Sequence, residues 1–394
     1  MNHPKNLETA LKWDYKFWNT QPVVKLNEIV TLDGQIEPDK PIENVNTSIF
    51  ELPPDFEWCT FDLSNKDECT LVATFLDKYY VEDSEHTFRL HYTSDFIQWI
   101  YDNQSKNIAI GVRVRKNNMI VGFICGKLTK VQVNKNKLDL IEVNLLCIHP
   151  HIRNKKLAPV LIKELTRRFN LLGYSKALYT SSNYLPTPVL TANYYHKAIN
   201  VQILHDTGFI KLDKKTILKN VKKAHKLPET FTLNGFKKME LKHLDQMYDL
   251  FNTYMDKYNL HPIFTKDEFS KLFYNNKFVV CYVIENEDGN VTDFASYYIM
   301  QSRVLKNNEK HEFIRQANLY YYTSLNETPY TIVRNLLIVA RNTGIDVFNA
   351  TDIMENATIV RELGFEPGTG LSNYYLYNWK IKSLKTFQCS LLLM

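Results

Sequence analysis

The chain has 394 residues, with 48 basic and 43 acidic side chains for a net charge of +5, 44% hydrophobic and 23% charged residues. That balance excludes a disordered chain and a nucleic-acid coat, which would cluster Lys and Arg far more densely. Six scattered cysteines form no Cys-x-x-Cys pair or metal-ligand spacing, and no apolar run reaches the roughly 18 residues of a membrane span, so a reduced, metal-free, cytoplasmic protein without an integral membrane segment is expected.

Residues 19–55 lack helical period and carry Pro22, Pro38, Pro41, Pro53 and Pro54, which predicts an extended arm over the surface. Helices are expected over 67–75 and 94–101, the second capped by Ser94. Strands follow over 108–115 and 119–128, joined by the hairpin-prone Lys116-Asn117-Asn118, and then over 138–148. A strongly patterned helix over 158–172 ends at Gly173, and another strand begins at 176–179.

The second half repeats this order. Strands over 278–285 and 293–300 flank Asp288-Gly289, followed by a strand over 317–324, a helix over 329–342 ended by Gly344, and a strand over 346–348. Each half then closes with Asn, a short helix and Gly-Phe, over 200–209 and 356–365. This pseudo-repeat, divided as 1–205 and 206–394, predicts an α/β fold in which a mixed, largely antiparallel sheet is flanked by helices. Lysine-rich stretches at 211–226 and 236–242 read as solvated helix faces.

The most informative segment is Glu142-Val-Asn-Leu-Leu-Cys-Ile-His149, followed by Arg153-Asn-Lys-Lys-Leu-Ala-Pro159. A strand runs into a turn bearing Arg153, Lys155 and Lys156 and then into a helix N-terminus, where free N–H groups and the dipole favour a phosphate. Pro159 suits the first helical turn. The matching turn of the second half, Asn326-Glu327-Thr328-Pro329, holds no cation, which points to one anionic-cofactor site.

Glu142–His149 resembles the N-myristoyltransferase signature E-[VI]-N-F-L-C-x-H-K, departing at Leu145 and Pro150. Tyr15-Lys-Phe-Trp-Asn-Thr-Gln-Pro-Val23, Val81-Glu-Asp83, Leu157-Ala-Pro-Val-Leu-Ile162, Tyr194-Tyr-His196, Asn349-Ala-Thr-Asp-Ile-Met-Glu-Asn356 and Tyr374-Tyr-Leu-Tyr-Asn-Trp379 follow the same family in order. A second signature, K-F-G-x-G-D-G, is reduced to Gly364-Phe-Glu-Pro-Gly-Thr-Gly370. The resemblance implies two fused acetyltransferase-like halves forming a saddle-shaped sheet, the first binding acyl-CoA and the second peptide. It also implies a monomer that transfers a myristoyl group from myristoyl-CoA to proteins with an N-terminal glycine.

Carried over residue by residue, the resemblance assigns Tyr15, Lys16, Phe17 and Trp18 to closure over the CoA. It assigns Leu145, Leu146, Cys147, Ile148, Arg153, Asn154, Lys155, Lys156, Leu157, Ala158 and Pro159 to the rest of the cofactor site. Backbone N–H groups of Leu145 and Leu146 would form the oxyanion hole, the carboxylate of Met394 would be the base, and Thr180 would hold the glycine amine. The peptide would lie on Val81, Glu82, Asp83, Phe88, Leu90, Tyr92, Thr180, Tyr194, His196, Ser296 and Asp352. Cys147, inside an apolar strand, reads as inert. An acetyltransferase of the same superfamily and a non-enzymatic acyl-CoA-binding scaffold remain as alternatives at this point.

Overall fold

Alternating apolar residues between 107 and 148 build a three-strand meander, Asn107–Val114, Ile120–Val133 and Asn136–Ile148. Asn118 and Asn134, at φ of 57° and 51°, supply the left-handed residues that its two turns need. The computed structural model describes residues 3–83, 85–101, 106–306 and 310–393, so the expected base, Met394, lies outside the described residues.

A fourteen-stranded sheet runs through the molecule. Its path begins Phe56–Phe61, Asn107–Val114, Ile120–Val133, Asn136–Ile148, Ala177–Ser181. It continues Glu366–Tyr377, Leu190–Ala198, Val347–Thr351, Phe313–Tyr322, Val291–Val304, Val279–Glu285, Phe236–Lys238. Along this path neighbours are antiparallel except for one parallel pair in each half, Asn136–Ile148 with Ala177–Ser181 and Phe313–Tyr322 with Val347–Thr351. The expected repeat is therefore present: meander, helix, parallel returning strand, in each half.

The halves interleave in the middle. Glu366–Tyr377, from the second half, lies between Ala177–Ser181 and Leu190–Ala198 of the first. Leu190–Ala198 in turn pairs with Val347–Thr351. The division at 205 and 206 also cuts the short helix Val201–Asp206.

Helix Leu157–Asn170 buries Leu157, Leu161, Leu165 and Phe169 against the first-half meander. Gly122 permits this approach, because a Cβ there would stand 2.8 Å from Leu157 Cδ2. Helix Pro329–Asn342 is enclosed by the second half and buries Ile332 through Ala340 apart from Arg334.

Some expectations need correction. Helix Ser94–Ile100 is capped by Thr93, whose hydroxyl accepts from Phe96 N–H, and Ser94 is its first residue. The 236–242 stretch is a strand, Phe236–Lys238, followed by a 3₁₀ turn, because Phe236 and Met239 are buried. Strands Phe56–Phe61, Leu190–Ala198 and Glu366–Tyr377 escape the periodicity reading. The last contains Pro367, Gly368 and Gly370, which read as loop but occupy an irregular stretch of pairing.

Candidate active site

Strand Asn136–Ile148 carries a bulge beside its end. Phe123 faces Cys147 and Cys125 faces Asn144, so Leu145 and Leu146 together oppose the single residue Ile124. Leu145 adopts φ of 56°, and its side chain is buried with Phe61, Phe123 and Cys147. Leu146 is turned the other way, 36% exposed, into a cavity of about 430 Å³ lined also by Tyr79, Tyr80, Val81, Glu82, Cys147 and Arg153. Burial pushes the Cys147 thiol up to about 12, so it is no thiolate nucleophile at neutral pH.

Beyond the bulge, Arg153 anchors the turn. Its Nε donates to Ile148 O at 3.0 Å and its guanidinium also donates to Tyr79 O at 2.8 Å, tying strand end to helix end at the cavity wall. Helix Leu157–Asn170 then starts from Lys156 with no side-chain cap, leaving its first N–H groups available. Lys156 sits at φ of 59°, where glycine would be unstrained. Lys156→Gly is therefore expected to raise unfolding stability by about 1 kcal/mol, read from the urea midpoint.

The second half shows the opposite arrangement. Asp293 accepts from the N–H groups of Leu325 at 2.6 Å, Asn326 at 3.3 Å and Glu327 at 3.1 Å. Thr328 caps helix Pro329–Asn342 through Thr331 N–H. Burial raises the Asp293 carboxyl above its ordinary range, and the three N–H groups pull it back. One turn thus presents open donors beside cations, while its counterpart is filled by the protein's own carboxylate. This is the structural reason for the one-sided cation pattern in the sequence.

Residues 35–192 match the family described as myristoyl-CoA:protein N-myristoyltransferase, N-terminal domain, and residues 206–390 match its C-terminal domain. The chain belongs to this family. It is 36% identical to the glycylpeptide N-tetradecanoyltransferase of Drosophila melanogaster over 96% of this chain and 81% of that one. A Plasmodium falciparum enzyme of the same name is 36% identical, with 96% of this chain and 93% of the relative covered. The fold is similar to that of Saccharomyces cerevisiae N-myristoyltransferase with bound myristoyl-CoA and inhibitors, at a TM-score of 0.91 and 31% identity, covering 98% of this chain and 99% of the other.

The N-myristoyltransferase landmarks fall into three groups. In the N-terminal arm, Tyr15 is buried and its hydroxyl donates to Tyr184 O, whereas Lys16 stands exposed. Phe17 lies edge-on to Trp18, which stacks on Tyr179 at 5.4 Å, and Tyr179 stacks on Tyr375 at 5.0 Å. The arm thereby lies on the strand that carries Thr180, which pairs in register with Tyr374.

Of the residues expected to hold peptide, Val81 and Glu82 line the cavity, and several of the others already have partners. Val81 is exposed at the cavity, Tyr92 packs edge-on to Tyr80, and Leu90 packs against the same cluster. Asp352 accepts from the backbone and side-chain nitrogens of Asn193 at 2.8 and 2.9 Å, and the buried Ser296 hydroxyl donates to Tyr321 O at 2.7 Å. His196 Nδ1 donates to Asn349 Oδ1 at 2.7 Å; burial lowers the ring's pKa and this bond partly restores it.

Gly368 is one of two glycines, with Gly370, that survive in the reduced second signature, and its surroundings explain why one is kept there. A Cβ at this position would stand 2.4 Å from His196 Nε2 and 3.1 Å from Tyr194 O. Gly368→Ala is expected to displace the ring, lower stability by about 1–3 kcal/mol and raise the peptide KM, with acyl-CoA affinity unchanged. Steady-state kinetics with separately varied substrates checks this.

The tail also packs as its apolar sequence suggests. Cys389 O accepts from Met354 N–H at 2.9 Å, and Ser390 N–H donates to Leu260 O at 2.9 Å. Tyr374 donates to Leu391 O at 3.0 Å, and Tyr321 accepts from Leu392 N–H at 3.3 Å. Sequence reasoning missed Asp293 at the second-half turn and the bonds that Tyr321 and Tyr374 make to the tail. Tyr374 enters only as a family landmark, and a tyrosine in an aromatic strand such as Tyr321 reads simply as core.

Proposed function

We propose that the chain transfers a myristoyl group from myristoyl-CoA to the N-terminal glycine amine of proteins, by direct attack on the thioester. The observation that carries this reading is the bulge at Leu145 and Leu146, facing a cavity one short turn from an uncapped helix N-terminus. The pyrophosphate would lie on that N-terminus with Arg153, Asn154, Lys155 and Lys156 around it. The N–H groups of the bulge would receive the charge that develops on the carbonyl oxygen, each worth roughly 3–4 kcal/mol in comparable sites. Because backbone supplies them, Leu145 can replace the family's Phe without removing the donors.

The glycine ammonium has a pKa near about 8, so a modest base suffices. The carboxylate of Met394 is proposed for that role, and the inward packing of Leu391 and Leu392 supports it. In this reading the first half holds acyl-CoA, while the second contributes the tail and the peptide contacts at Ser296 and Asp352.

A single-turnover incubation with myristoyl-CoA and a glycine-start peptide tests the reading. Product heavier by one tetradecanoyl group is expected, with a steep fall for shorter donors, since each buried methylene contributes about 0.8 kcal/mol. Equal rates with acetyl-CoA would favour the acetyltransferase alternative, and binding without product would favour the scaffold.

A further inference from the structure

Glu355 and Asn356 close the landmark at 349–356, and the acyl-transfer reading above gives them no part. Glu355 is the centre of a side-chain cluster. Its Oε2 accepts from the Tyr258 hydroxyl at 2.6 Å and from the Tyr254 hydroxyl at 3.2 Å, and its Oε1 pairs with Lys257 Nζ at 2.5 Å. Tyr322 stands 3.3 Å from the same Oε2 while donating to Asn356 Oδ1 at 2.9 Å. Lys257 Nζ also lies over the Tyr254 ring, 3.5 Å from its centroid. The three tyrosines are buried, so a carboxylate that reaches them depends on these donors to offset its lost hydration.

The cluster closes around the tail. Cys389 is extended, at φ of −121° and ψ of 131°, so the carbonyls of Gln388 and Cys389 point to opposite sides. On one side Asn259 N–H donates to Gln388 O at 2.8 Å, and Leu260 O accepts from Ser390 N–H at 2.9 Å. On the other side Met354 N–H donates to Cys389 O at 2.9 Å. Tyr258 directly precedes the first of these walls and Glu355 directly follows the second, so the bond between their side chains joins the walls across residues 388–390. Met354 has φ of 54°, a left-handed conformation that methionine keeps only where its surroundings impose it. The charge-assisted bonds of Glu355, the next residue, are such a constraint. We propose that Tyr258 and Glu355 are positioning residues for acyl transfer, their bond fixing the walls that grip 388–390 and thereby the place at which the terminal carboxylate is presented. This inference rests on the reading in which that carboxylate is the base. Neither residue lines the cavity at Leu146, so loss of the bond is expected to spare both substrate sites and displace the base alone.

The test is a double-mutant cycle between Tyr258→Phe and removal of Leu393 and Met394, read as the single-turnover rate with saturating myristoyl-CoA and glycine-start peptide. In the full chain Tyr258→Phe is expected to slow transfer about tenfold, with peptide KM and myristoyl-CoA affinity within about twofold of wild type, because a slightly displaced base serves the amine poorly. In the truncated chain the same substitution is expected to change the rate by less than about twofold, since the group being positioned is already gone. Glu355→Gln, which keeps the shape and loses the charge, is expected to show the same split and replaces Tyr258→Phe if that variant lacks a cooperative melt. An unchanged rate in the full chain, where truncation does slow transfer, overturns the inference and leaves the base reading standing. Equal slowing in full and truncated chains overturns it too, and marks the cluster as general support for the fold. If truncation alone changes nothing, the base reading fails and this inference with it.

Discussion

Removing Leu393 and Met394 lowers turnover about a hundredfold, the usual weight of a positioned general base, while myristoyl-CoA binds as before. The expectation follows from how the preceding residues are held. Cys389 and Leu391 are buried, and the backbone of 389–392 is fastened by Met354, Leu260, Tyr374 and Tyr321. The tail therefore has little freedom to slide forward after truncation. Loss of two residues draws the terminal carboxylate back by about 7 Å along an extended chain, outside hydrogen-bond reach of the amine that it would serve as the proposed base.

The surroundings also set the direction of the pH response. Burial pushes the Tyr321 phenol up, Leu392 N–H pulls it down, and the Glu142 carboxylate raises it again, so the tail and the strand leading to the bulge share one low-dielectric region. Burial in such a region disfavours a charged carboxylate, so the proposed base would accept a proton more readily there than in water. Turnover should fall on the acid side as that carboxylate protonates, and the truncated chain should lose this limb. Unchanged turnover and an unchanged pH profile after truncation would remove the carboxylate from the reaction.

The strands and helices that could be read from sequence are those whose pattern is local. Helix Pro329–Asn342 was legible to the residue because Thr328 and Pro329 mark its start and Gly344 its end. The phosphate-type turn was legible because cations and a strand-to-helix junction lie within a dozen residues. Glu366–Tyr377 was not, since Pro367, Gly368 and Gly370 signal a loop, and only pairing with Leu190–Ala198 and the closeness of His196 make them a strand. Asp293 was invisible for a related reason. Its partners at 325–327 are more than thirty residues away, and a lone acid in an alternating strand looks like a solvent-facing residue. The bulge at Leu145 leaves no sequence mark of its own, because a leucine occupies a left-handed position usually taken by Gly or Asn.

Cutting the chain between 205 and 206 and expressing the pieces separately should give two insoluble products, whereas co-expression should recover a complex that binds myristoyl-CoA. Leu190–Ala198 has both of its sheet neighbours, Val347–Thr351 and Glu366–Tyr377, in the second piece. Glu366–Tyr377 has both of its own, Ala177–Ser181 and Leu190–Ala198, in the first. Each piece alone would therefore carry a strand with two open edges, and buried residues such as Leu178, Leu190, Ala192, Tyr374 and Leu376 would lose part of their cover. Open apolar edges template aggregation and do not wait as a folded half-sheet. The cut also breaks helix Val201–Asp206, whose Val201 and Leu204 pack with Ile314 and Val347 across the same boundary. Co-purification and the thermal melt of the reconstituted pair provide the measurement. A soluble 1–205 fragment with a cooperative melt of its own would mean that the repeat units are autonomous and that the exchanged strands are not what joins them.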